Sequence, residues 1–219
     1  MMRGAVRAGS LHRRTNEITA VAAAILFLPA ASGGPRVESI GPPAEGVVPA
    51  AVRSALEPQG ARVTLSEGAY CELWLRKSVP DDKKGGGGAL APGLAVSTTV
   101  GVIRFVTAAA DFRGQAIKPG VYTLRYAVMP SDGAHMGASE YPDFLLVVPA
   151  ADDPDPDAVF PFAGLVELSR KATGTRHPGV FSLVRPSATT FPAVTTNDQG
   201  HVVLQLKAFA LVVKGHAEQ

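Results

Sequence analysis

Residues 121–129 read VYTLRYAVM. Tyr122, Leu124, Tyr126 and Val128 fall on one side of a two-residue period, and Thr123, Arg125 and Ala127 on the other. That alternation predicts a half-buried antiparallel strand. Lys118-Pro119-Gly120 supplies the tight turn that launches it, because proline presets its own φ and glycine accepts strained backbone. Upstream, Asp111-Phe-Arg-Gly-Gln115 reads as a polar turn, and 95–106 (AVSTTVGVIRFV) as a second β-prone run. Further back, 61–65 and 69–76 form a hairpin around Glu67-Gly68. In its second arm Cys71, Leu73 and Leu75 make the core face, with Cys71 as a small buried hydrophobe. Tyr70, Glu72, Trp74 and Arg76 take the opposite face.

Downstream, 143–149 (DFLLVVP) predicts a short strand buried on both sides. Residues 162–173 (FAGLVELSRKAT), with Gly174 just beyond, predict a helix of about three turns. Residues 180–184, the neighbourhood of Val194, and 201–213 complete about seven strands. A two-turn helix fits 49–56, with Pro49 where its missing N–H costs nothing. Strands punctuated by Gly and Pro, with no strand–helix alternation, give a mainly β class: an antiparallel β-sandwich, immunoglobulin- or transthyretin-like, with one or two short helices. The expected organisation is a signal peptide at 1–33, a Gly/Pro-rich linker at 34–48 and the sandwich domain at 49–219.

The leader rests on Arg3, Arg7, Arg13 and Arg14, an apolar stretch at 18–28, and small residues at 30–33. Eleven apolar residues are too few for a transmembrane helix, which needs about 20. The expected location is therefore periplasmic or secreted, with no membrane span in the mature chain. Without the leader, 17 basic residues face 18 acidic ones, where the whole chain has 21 and 19. A net charge of −1 and the lack of a basic stripe exclude nucleic-acid binding by bulk charge. One cysteine excludes a disulfide framework.

The segment 111–126, DFRGQAIKPGVYTLRY, carries a polar turn followed by I-x-P-G-x-Y-T-L. It resembles the edge of transthyretin-like and carboxypeptidase-regulatory-like β-sandwich domains, and is similar to small exported bacterial domain families of unknown function. Such domains serve mostly as accessory or binding modules. The resemblance therefore implies a module rather than an enzyme, and brings no catalytic residue with it.

The chain contains no H-E-x-x-H, G-x-S-x-G or phosphate-loop motif. No catalytic residue, resident metal or cofactor is assigned, and the expected partner is an unknown protein or small-molecule ligand. The 13-residue connection 130–142 is long for a hairpin, and long loops in compact domains are often functional. Within it His135 and Met136 could hold a soft cation, which makes a metal- or small-ligand-binding protein using 131–142 the alternative. Ordinary loop packing is the blander account of both. Asp111, Arg113, Arg125 and Asp143 form either a salt-bridge network or an anion site at one sandwich end. Trp74 with Tyr70 would be an aromatic platform if exposed, and core packing if covered. The run 152–157 (DDPDPD) reads as a solvated acidic loop rather than a calcium loop, since it has no glycine at its centre.

Overall fold

The computed structural model describes residue 1 and residues 33–80, 88–130 and 141–215. The leader at 2–32, the glycine run at 81–87, His135 and Met136 within 131–140, and His216 lie outside the described residues. The chain divides into two compact units, Met1–Ala31 and Ser32–Gln219, and every described strand belongs to the second.

That unit is mainly antiparallel β. In chain order it runs β1 (Arg36–Ile40), α1 (Ala50–Ala55), β2 (Gly60–Leu65), β3 (Gly68–Leu75), β4 (Thr99–Phe105), β5 (Ala109–Ala110) and β6 (Ala116–Ile117). It continues with β7 (Gly120–Val128), β8 (Asp143–Pro149), α2 (Phe162–Thr173), β9 (Val180–Val184), β10 (Ala193–Thr196), β11 (Val202–Gln205) and β12 (Ala210–Lys214). Ten strands join one ladder in the order β1-β2-β3-β4-β7-β8-β9-β12-β11-β10, while β5 and β6 pair separately. The outermost strands, β1 and β10, come into contact, so the sheet is nearly closed on itself.

The ladder turns its corner at β9. Val180, Phe181 and Ser182 pair with β8, whereas Leu183 and Val184 pair with β12. Strand β9 thereby links the β1–β8 part of the ladder to the β12-β11-β10 part within one continuous sheet. The enclosed face holds the main core, including Leu73, Ile103, Phe105, Leu124, Tyr126, Leu145, Phe181, Leu204 and Leu211. Phe105 stacks on Phe181 across this space, with ring centroids 5.7 Å apart.

The outer face is covered as well. Val52 of α1, with Val48 and Leu56, packs on Trp74 and Val102. Leu165 of α2 packs on Ala127, Phe144 and Leu146. Strand β8 is accordingly buried on both sides, as its continuous apolar run implies. The expected half-burial of β7 does not hold: Thr123 and Arg125 on its second face are fully buried. Residues 153–160 fold across that face and bring Asp153 to it, a partner no local pattern announces.

Three further expectations are corrected. The linker at 34–48 contains β1, which pairs with β2 from Arg36↔Thr64 to Ile40↔Gly60. The single run at 201–213 is a hairpin, β11 and β12, closed where Leu206 N–H donates to Phe209 C=O at 2.9 Å. In β3 the alternation breaks. Val63 pairs with Cys71 but Thr64 pairs with Ala69, so Tyr70 is the extra residue of a bulge and turns into the main core.

Candidate ligand-binding pocket

The four charged residues grouped by the sequence occupy three places. Arg125 forms a fork with Asp153, Nε to Oδ2 at 2.8 Å and Nη2 to Oδ1 at 2.5 Å. It also donates to the carbonyls of Ser97, Ala158 and Asp155 and lies over the Phe160 ring. Asp143 accepts from the N–H groups of Leu90 and Ala91 and from the Tyr126 hydroxyl. Only Asp111 and Arg113 meet, with Nη2 of the arginine 2.7 Å from Oδ2. Asp111 and Asp143 make no acid pair with each other.

No aromatic platform forms. Trp74 is 3% exposed beneath α1 and its indole N–H donates to Gly41 C=O at 2.8 Å. Tyr70 is equally covered, and burial pushes its phenol well above the ordinary range. The acidic run is taken up by cations: Asp153 by Arg125, Asp152 by Lys171 at 2.9 Å, and Asp157 by Arg76. Among the described residues no group of three or more His, Cys, Asp or Glu is placed to hold a metal. No described helix is long and apolar enough to cross a membrane, which leaves β-barrel spanning untouched.

The Asp111 turn builds one wall of a pocket. The Asp111 carboxylate accepts the N–H groups of Arg113 and Gln115, each at 2.9 Å, and receives the Arg113 guanidinium through both Nε and Nη2. Gly114 completes the turn at φ +78°, backbone that favours glycine. From the turn, Arg113 Nη2 donates to Pro178 C=O at 2.8 Å and Gln115 Nε2 to His177 C=O at 3.1 Å. The facing wall comes from the end of α2. Gly174 stops the helix at φ +68° and the chain doubles back. Thr173 Oγ1 donates to His177 C=O, while Ser169 Oγ accepts from Gly179 N–H at 3.0 Å.

Between these walls, above β8 and β9, lies a pocket of about 360 Å³. Its apolar lining includes Phe144, Leu146, Phe162, Val166, Val180 and Met129. Its basic lining is Arg113, Arg170, Arg176 and His177, and no carboxylate among the described residues lines it. Asp111 offsets the charge of Arg113, and Glu167 pairs with Arg170. Arg176 is exposed, pairs with no carboxylate among the described residues, and donates from Nε to His177 Nε2 at 3.2 Å. Among the described residues the buried Nε–H of Arg170 has no acceptor. A larger hollow of about 700 Å³ along residues 45–54 has Glu45 and Arg53 as its charged lining, which cancel in sign.

Sequence reading misses this rim. Arg170, Lys171, Arg176 and His177 stand within eight residues, a local density of basic groups that could have flagged it. Arg113 joins them only through the fold. No family model, no curated protein and no solved structure matches the chain.

Proposed function

We propose that this protein is an exported, non-catalytic binding module whose ligand is a small amphipathic molecule held between α2, β8, β9 and the Asp111 turn. The observation that carries the reading is an apolar pocket with basic residues at its rim, made by two wall segments tied to each other by hydrogen bonds. Its volume falls within the ~300–1,000 Å³ usual for small-molecule sites. Phe162, Val166, Met129 and Val180 remain only partly buried there, so apolar surface stays available to a ligand. The imidazole and Ser182 both line the pocket, yet His177 Nε2 is engaged by Arg176, which supports binding over nucleophilic chemistry. The basic, apolar, small-residue leader supports export. The likeness of 111–126 to accessory β-sandwich modules points the same way.

A neutral fluorophore, N-phenyl-1-naphthylamine, tests the pocket directly. Saturable fluorescence enhancement with the native protein is the expected result, lost in Val166→Trp, whose indole fills the cavity from the helix side. Enhancement unchanged by Val166→Trp would refute the assignment.

A further inference from the structure

Resting on that pocket, we infer that the ligand is a monoanion, a carboxylate on an aliphatic or aryl body of roughly ten non-hydrogen atoms. Size comes first. About 360 Å³ holds roughly a dozen water-sized volumes of ~30 Å³ each. A molecule of about ten heavy atoms therefore fits, and flat aryl systems somewhat larger fit as well, since covalently joined atoms pack closer than separate waters.

Charge comes second. Three guanidinium groups line the rim and two are already offset, Arg113 by Asp111 and Arg170 by Glu167. Arg176 is the cation left over among the described residues, so the site is matched to one negative charge rather than two. Geometry selects the head group. A guanidinium presents a planar fork of N–H donors that a carboxylate meets with two parallel bonds. The apolar lining takes the body while Arg176 holds the head near solvent.

Octanoate, octanol and octyltrimethylammonium separate the possibilities, each titrated into the purified protein by ¹H–¹⁵N NMR at neutral pH. Octanoate is expected to bind roughly tenfold or more tighter than octanol, the usual increment for a hydrogen bond to a charged group. The ammonium compound is expected to bind weakest. Arg176→Gln, at an exposed position, should remove most of the octanoate advantage and leave octanol unchanged. Equal affinity for octanoate and octanol, with no effect of Arg176→Gln, would overturn the carboxylate assignment while the pocket itself stood. Binding of none of the three, with N-phenyl-1-naphthylamine also silent, would overturn both. Octanoate binding that survives Val166→Trp would place the anion elsewhere and likewise defeat the inference.

Discussion

Arg125 and Asp153 meet with neither side chain reaching solvent, each 0% exposed, and the carboxylate also accepts the Thr123 hydroxyl. Ser97 helps to close the site: held at φ +79°, it gives its carbonyl to Arg125 and its hydroxyl oxygen to Phe160 N–H. Removing one ion of a buried pair strands the other, at a cost of ~3–5 kcal/mol. Asp153→Ala should lose about that much in urea unfolding. The double variant Arg125→Met/Asp153→Leu should recover part of it, since no charge is then left unpaired. A loss below ~1 kcal/mol for Asp153→Ala would mean that the pair behaves as a solvated surface bridge.

Alkaline pH should unfold the protein through groups held in their neutral forms. Burial raises Cys71, Tyr70 and Tyr126, each beyond its ordinary value, and Tyr122 in the same direction. Each therefore keeps its proton in the folded state at a pH where the unfolded chain has lost it. Stability is fully present below the unfolded values and falls as pH rises past ~8.5 for the thiol and ~10 for the phenols. The slope should approach ~1.4 kcal/mol per pH unit for each group engaged. Thiol labelling and tyrosinate absorbance should appear together with loss of structure. Rapid labelling of Cys71 in the folded protein at pH 8 would contradict its burial.

Trp74 fastens α1 to the sheet. It packs with Val48, Val52, Leu56 and Val102 and donates to Gly41 C=O. Trp74→Ala should cost ~3–5 kcal/mol, as large-to-small changes at buried aromatics do. Trp74→Phe should retain part of the packing and lose the hydrogen bond. Chemical denaturation of both variants measures the difference, and equal stability of all three proteins would exclude the role.

Gly215 abuts the turn that forms the pocket wall. A Cβ at this position would stand 1.9 Å from Asp111 C=O and 2.6 Å from the Phe112 backbone, atoms that cannot rotate aside. Gly215→Ala should therefore displace the 111–115 turn and cost ~1–3 kcal/mol or more, the range for overpacking. It should also weaken N-phenyl-1-naphthylamine binding without touching the pocket directly. Wild-type stability together with wild-type binding would refute that coupling.

What could be read from the chain depended on whether the cause was local. Helix α2 matches residues 162–173 because Pro161 precedes its apolar pattern and Gly174 ends it in left-handed backbone. Strand β9 matches 180–184 because its apolar run stands between Gly179 and Pro186. Strand β1 escapes notice: Gly and Pro flank it, and its five residues are ordered by pairing with β2, whose partners lie 20 to 28 positions away. The β11–β12 hairpin escapes because Leu206-Lys-Ala-Phe209 contains none of the usual turn residues. Arg125 looks like a surface residue because its counter-ion lies 28 positions downstream. The pocket rim was half legible, in the basic cluster of 170–177, while its Arg113 side depends on hydrogen bonds to His177 and Pro178 that only tertiary folding creates.

The contact between β1 and β10 also governs when the molecule can finish folding. The Tyr70 hydroxyl reaches Val213 C=O, 143 positions later. The interior thus closes only once β12 has joined the sheet. Such distant pairings form slowly, because the entropy of closing a long loop is lost before its contacts form. A core sealed by such pairings closes late in folding, after the local hairpins have formed.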